Sequence, residues 1–282
     1  TGGERESADT HNRLGVFYRQ KPDIKKSLYH FDEGIAVAKK YNATLLLATI
    51  YMNKANSLNE AARYDEAIEM HLESIRLKEK INDQRGLMQS YNNIALVFKR
   101  AKEYEKSKDY FLKANHLARK MNNPSTLGYN YANLGTLYAL LNKKDSVVWM
   151  FEQSIAAFNK TSEKPGLGLV YHNYGTFLME EKQYAQSETI LKKALDIRQE
   201  IKSKYDVAST MNLLGALYSR MGNTKEAETR LLQSLALLKD ENSYRKRDAY
   251  GYLAEHYKSL NDFEEAYKYQ DGYLAMSDTM VD

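Results

Sequence analysis

The sequence repeats itself about every forty residues, and this period restricts the possible folds more than any other feature. A residue pair that ends in glycine or alanine recurs at one phase of the repeat. The pairs are Leu14-Gly15, Lys54-Ala55, Ile94-Ala95, Leu134-Gly135, Tyr174-Gly175, Leu214-Gly215 and, one residue early, Leu253-Ala254. Seven copies in phase predict seven copies of one structural unit, which bury their apolar faces by stacking on one another.

Each unit carries two apolar stripes with the spacing of an α-helix. In the first stripe, large residues lie four positions before and three positions after the small one, as at Tyr91 and Phe98 around Ala95. The second stripe begins at Tyr64, Tyr104, Tyr184 and Phe263 and continues through Phe31, Phe111, Phe151, Leu191 and Leu231. Only three prolines occur in 282 residues, which favours long uninterrupted helices. Each unit is therefore predicted to be a pair of helices, A and B.

This pattern resembles the tetratricopeptide repeat (TPR), in which a large residue, Leu-Gly/Ala and Tyr on helix A precede a small residue, an aromatic and Ala on helix B. The resemblance implies an all-α fold, a right-handed TPR superhelix (α-solenoid) of about seven helix-turn-helix repeats. Residues 1–6 are interpreted as a leader or tag remnant and residues 7–282 as a single TPR array. The repeats are expected at about 8–41, 48–81, 88–121, 128–161, 168–201, 208–241 and 247–280. Similar long units occur in kinesin light chains and in bacterial peptide-sensing regulators.

In such an array, as the resemblance implies, helix A lines the concave face. The stripe opposite the buried one carries one asparagine per repeat at Asn53, Asn93, Asn133 and Asn173. In related peptide-binding TPR groups, asparagines on this face hold the backbone of the ligand. The predicted ligand-binding set is Asn53, Asn56, Asn92, Asn93, Asn133, Thr136, His172, Asn173 and Asn212. The alternative interpretation is that these asparagines are ordinary for the family and bond neighbouring helices.

No catalytic or metal-binding motif is present in the sequence. The six histidines occupy six different repeat phases, and the chain has no cysteine, phosphate loop or dinucleotide fingerprint. The sequence therefore predicts a non-enzymatic protein with no metal and no cofactor. A net charge of +4, from 41 basic and 37 acidic residues, does not indicate nucleic-acid binding, and no apolar run is long enough to span a membrane.

The expected partner is a protein or peptide, gripped as an extended segment in the groove. The sequence near the C-terminus resembles the end of the TPR sensor region of bacterial sensor histidine kinases and related regulators, so one hypothesis is a sensor within a longer signalling protein. The alternative is a constitutive scaffold or adaptor for complex assembly. Trp149 is either a partner anchor or a half-buried ring, and the apolar last helix, through Met280, suggests self-association. The sequence does not select between a cytoplasmic and a periplasmic location.

Overall fold

The structure is a computed structural model that describes residues 2–239 and 244–278. Within these ranges the chain forms fourteen α-helices and no β-strand, so the predicted all-α class is confirmed. The helices are α1 Gly2–Gln20, α2 Ile24–Lys40, α3 Thr44–Glu60, α4 Tyr64–Lys80, α5 Gln84–Arg100, α6 Tyr104–Lys120, α7 Pro124–Leu140, α8 Lys144–Phe158, α9 Lys164–Glu180, α10 Tyr184–Glu200, α11 Lys204–Arg220, α12 Thr224–Leu237, α13 Tyr244–Ser259 and α14 Phe263–Asp278. No helix in the described ranges is both long and apolar enough to cross a membrane.

The helices alternate as predicted, with odd-numbered A helices and even-numbered B helices. The chain divides into two compact units, Thr1–Asn130 and Tyr131–Asp282. Inside the units, B helices pack against A helices next to them in sequence, as α4 does against α3 and α5, and α10 against α9 and α11. The A helices α3, α5, α7, α9 and α11 begin about one turn before the expected repeat starts, and α1 already begins at Gly2. Thr1, Met280 and Asp282 lie outside the described residues.

The recurring glycine or alanine of helix A lies against the large residue of helix B. A Cβ atom on Gly135 would lie 2.7 Å from Cε1 of Phe151, and one on Gly15 would lie 2.5 Å from Cε1 of Phe31. A second close approach joins α8 and α9, where a Cβ on Gly166 would lie 2.3 Å from Cε1 of the fully buried Phe158. The small residues therefore set the distance between paired helices.

The turns between helices share one backbone conformation. Nearly every described turn contains a residue with φ between +48° and +77°, usually asparagine, lysine or glycine, such as Asn42, Asn82, Lys182 and Gly222. A residue in this left-handed region ends an α-helix and directs the following chain back along it. The same turn after A and B helices explains why the units repeat with so little drift in register.

One core position departs from the repeat. His71 in α4 occupies the phase that Phe31, Phe111, Phe151, Leu191 and Leu231 hold in other units, and it is fully buried. Neither of its ring nitrogens has a hydrogen-bond partner among the described residues. Burial, and then the positive charge of Lys78, lower the pKa of His71 from 6.5 to about 3, so the ring is neutral in the folded protein.

Candidate functional site

A polar pocket of about 320 Å³ opens in the second unit on the A helices. Its walls come from α7, α9, α11 and α13, the A helices of four successive repeats. The lining residues are Thr136, His172, Asn173, Thr176, Ser209, Asn212, Leu213, Arg245, Asp248 and Tyr252. Four residues of the predicted ligand-binding set, Thr136, His172, Asn173 and Asn212, thus meet in one pocket, because their repeat phases place them on the same face of neighbouring A helices.

Behind the pocket, His172 is held by a buried arginine. Nη1 of Arg198 on α10 donates a hydrogen bond of 2.8 Å to Nδ1 of His172, one of 2.6 Å to Oγ1 of Thr210 and one of 3.1 Å to the carbonyl oxygen of Asp206. Burial and the charges of Arg198 and Arg245 lower the pKa of His172 to about 3. The neutral ring accepts at Nδ1 and so carries its proton on Nε2, which makes Nε2 a hydrogen-bond donor.

Arg198 was not among the residues predicted from the sequence, although the repeat contains a signal for it. Its phase holds Ala38, Ala118, Phe158 and Leu238 in four other repeats, so a charge there departs from a mainly apolar pattern. Arg198 is only 5% exposed, and burial lowers its pKa to about 10, which leaves it protonated at neutral pH. A buried cation that donates to neutral acceptors adds positive potential beneath the pocket.

The first unit has a buried cation at the same phase. Lys78 is 2% exposed, and its Nζ donates a hydrogen bond of 2.8 Å to Oγ of Ser90 and one of 3.4 Å to the carbonyl oxygen of Gly86. Burial lowers the pKa of Lys78 to about 8. The two cations therefore repeat one arrangement, in which the last turn of a B helix binds a hydroxyl group and a first-turn carbonyl of the next A helix.

The far wall of the pocket consists of Asn212 and Arg245. Nδ2 of Asn212 donates a hydrogen bond of 2.8 Å to the carbonyl oxygen of Arg245, and the Asn212 side chain is nearly fully buried. The Arg245 guanidinium lies 4.5 Å from the centre of the Tyr244 ring and 3.7 Å from Oδ1 of Asp206. Oδ1 of Asn212 and Nε of Arg245 are buried without a partner among the described residues. Asn212 therefore positions α13 at the pocket wall, and one acceptor and one donor in this wall are not used in hydrogen bonds among the described residues.

The sequence identifies the family to which this arrangement of helices belongs. A family model described as tetratricopeptide repeat matches residues 46–120 and 167–240, which together exceed half of the chain. The chain belongs to the tetratricopeptide repeat family. A comparison of this TPR protein with curated protein sequences found no match.

Solved structures with the same fold include three TPR proteins of different kinds. A signal transduction ATPase with numerous domains (STAND) and a TPR sensor, from Pyrococcus horikoshii, has 15% identity and a TM-score of 0.76, with 96% of this chain and 42% of that chain covered. A Rap protein complexed with competence and sporulation factor has 13% identity and a TM-score of 0.70, with 98% and 76% covered. A TPR protein from Parabacteroides merdae has 15% identity and a TM-score of 0.66, with 96% and 93% covered. This chain thus spans less than half of the STAND protein.

The remaining predicted binding residues of the TPR array lie outside the pocket. Nδ2 of Asn53 donates a hydrogen bond of 2.9 Å to Oδ1 of Asn12 on α1, which is the contact between neighbouring helices that the alternative interpretation expects. Oδ1 of Asn92 is buried without a partner among the described residues, and Asn56 and Asn93 are partly buried. The carbonyl oxygen of Asn133 accepts a hydrogen bond from Oγ1 of Thr136 at 2.9 Å. For these asparagines, ligand contact stays a prediction.

Trp149 lies on α8 and is about half exposed. Its indole ring meets the Tyr131 ring edge-on, with 6.1 Å between ring centres. The indole ring thus contacts Tyr131 and is otherwise about half exposed to solvent. Its role as a partner anchor also stays a prediction. In the described ranges, no three histidine, aspartate or glutamate side chains come together as metal ligands.

Proposed function

We propose that this TPR protein binds an extended peptide or protein segment along its A helices and performs no catalysis itself. The observation that supports this proposal is the pocket that joins Thr136, His172, Asn173 and Asn212. An extended segment offers one N–H donor and one C=O acceptor per residue. The Nε2 proton of His172 and the Arg245 guanidinium suit its carbonyl oxygens, while the Asn173 carboxamide suits both groups.

Binding can be tested with peptides selected from a random library displayed on phage. We expect the substitution Asn173→Ala to weaken the selected peptides about tenfold, because a two-way hydrogen-bonding group is lost from the pocket wall. Gln199→Ala removes a matched amide from the exposed end of α10 and serves as the control. Isothermal titration calorimetry provides the affinities. Equal affinities of the Asn173→Ala and wild-type proteins would show that the pocket is not the binding site.

We further propose that the binding module belongs to a signalling protein and acts as its sensor, as in the STAND protein with a TPR sensor. A sensor has to transmit binding beyond the site. We expect a selected peptide to slow amide hydrogen exchange in α14 as well as in the pocket helices α9, α11 and α13, because these helices pack on one another in sequence. Protection confined to the pocket helices would favour the alternative, a constitutive scaffold.

A further inference from the structure

Beside the polar pocket, the second unit contains an apolar hollow of about 370 Å³. Its lower wall is formed by Phe151 and Phe177, whose ring centres are 6.4 Å apart, and its rim by Ala139 and Leu140. Its volume lies at the small end of the range of about 300–1,000 Å³ that ligand pockets cover. The hollow shares Thr136, Asn173 and Thr176 with the polar pocket, so the two openings are adjacent.

The hollow arises where one residue departs from the repeat. The first residue of helix B is a tyrosine at Tyr64, Tyr104 and Tyr184, and the last repeat has Phe263, whereas α8 begins with Lys144. The Tyr64 ring packs against a buried cluster that contains Leu58 and Ala67 of its own repeat and Val97 of the next A helix. Phe177 is the counterpart of Val97 and lines the hollow. The space that a tyrosine ring occupies in other repeats is therefore open beside α8.

The Lys144 side chain does not fill this space. It is 57% exposed, and its Nζ lies 2.6 Å from Oε2 of Glu181 at the rim of the hollow. The first and sixth repeats also lack the aromatic, with Ile24 and Thr224 at this position. In the sixth repeat, however, the neighbouring core contains Met221, Leu217 and Tyr252.

A second departure from the repeat adds apolar surface to the same rim. Leu140 is 55% exposed, at a phase that carries a charged side chain at Glu60, Arg100, Glu180 and Arg220. Since four other repeats carry charged side chains at this phase, packing of the repeat does not require a leucine there. Lys144 thus removes an aromatic ring, and Leu140 adds apolar surface. Together these two departures leave an apolar cavity that is open to solvent at the helix end.

We infer that the hollow is the acceptor for one aromatic side chain, phenylalanine or tyrosine, of the bound segment. This inference rests on the proposed function, because the segment that crosses the polar pocket is what carries the ring. The repeat indicates the occupant, since tyrosine rings pack against the core at the equivalent positions Tyr64 and Tyr184. The polar pocket holds the main chain, and the hollow selects the side chain that enters beside it.

The test uses p-cresol, the free side chain of tyrosine, and protein with 13C-labelled methyl groups. We expect p-cresol to shift the methyl signals of Ala139 and Leu140 in the wild-type protein. In Lys144→Tyr, the protein's own ring fills the hollow, and p-cresol should bind at least about tenfold more weakly. The control Lys144→Gln breaks the ion pair with Glu181 but leaves the hollow open, so its affinity for p-cresol should be unchanged.

Leu140→Glu keeps the test decisive if Lys144→Tyr fails to fold, because it restores the charge found at Glu60 and Glu180 on an exposed position. This variant should also weaken p-cresol binding. Undisturbed Leu140 methyl signals in the wild type, or equal p-cresol affinity in Lys144→Tyr and wild type, would overturn the inference. Entry of p-cresol needs no peptide, so a peptide affinity that is insensitive to Asn173→Ala would refute the proposed function separately.

Selected peptides link the hollow to the ligand. Replacing the aromatic residue of a selected peptide with alanine should lower its affinity for the wild-type protein about tenfold and leave its affinity for Lys144→Tyr nearly unchanged. Equal losses on both proteins would show that the aromatic residue binds elsewhere.

Discussion

Replacing His71 with phenylalanine is expected to raise the free energy of unfolding by about 1–3 kcal/mol at pH 7, because it removes two buried ring nitrogens that have no partner. The ring should fit, since Phe31, Phe111 and Phe151 occupy the same repeat phase and are fully buried. Chemical denaturation followed by circular dichroism measures the change. The reverse substitution, Phe111→His, is the matched control and should destabilise by a similar amount.

The effect of His71→Phe should grow in acid. The pKa of His71 falls from 6.5 in the unfolded chain to about 3 in the folded protein, so below pH 6.5 the unfolded chain binds a proton that the buried ring does not. Stability is therefore complete above pH 6.5 and is lost as the pH falls towards 3. By pH 5 the loss from His71 is about 2 kcal/mol. The His71→Phe variant should lack this loss. His172 destabilises both proteins equally in acid, so its contribution cancels in the difference between variant and wild type.

A constant difference in stability between His71→Phe and wild type from pH 7 to pH 5 would contradict this account. It would mean that the His71 ring reaches water or a partner in the folded protein and takes up a proton there.

The second large effect concerns Phe158 and Gly166 at the α8–α9 turn. Phe158→Ala should destabilise by about 3–5 kcal/mol through the cavity it leaves. Gly166→Leu should destabilise by about 1–3 kcal/mol or more, since even a Cβ there would lie 2.3 Å from the Phe158 ring. The first unit has Ala38 and Leu46 at these phases, packed in one cluster. The double variant Phe158→Ala, Gly166→Leu reproduces the pair Ala38 and Leu46. Its loss of stability should therefore be smaller than the sum of the losses in the two single variants.

A double-mutant cycle measured by thermal or chemical denaturation checks this expectation. The coupling free energy should be about 1–3 kcal/mol in favour of the double variant, because the two residues share one space. Simple additivity of the two single changes would show that Phe158 and Gly166 do not compete for that space.

The sequence contained most of the helical framework. The recurring pairs at Ala95 and Gly135 and the aromatics around them determine helix pairing, because a period of 3.6 residues within a period of forty leaves one apolar stripe per helix. The same phases placed Asn173, His172 and Asn212 on neighbouring A helices, and this was enough to predict that they share a surface. The departures from the repeat at His71 and Arg198 are also visible in the sequence. They become informative only once the structure shows that residues at these repeat positions are buried.

Only the tertiary structure decided which of these residues share a pocket and what state they are in. The proton of His172 is placed on Nε2 by a hydrogen bond from Arg198, 26 positions away, and no local pattern contains that contact. Likewise, Lys144 is an ordinary surface residue in sequence, and the hollow exists because its side chain turns towards Glu181 while Phe177 lies opposite. The sequence by itself determined the helices and their order, since periodicity is a local property. The pocket and the hollow depend on side chains from separate repeats, whose positions packing alone decides.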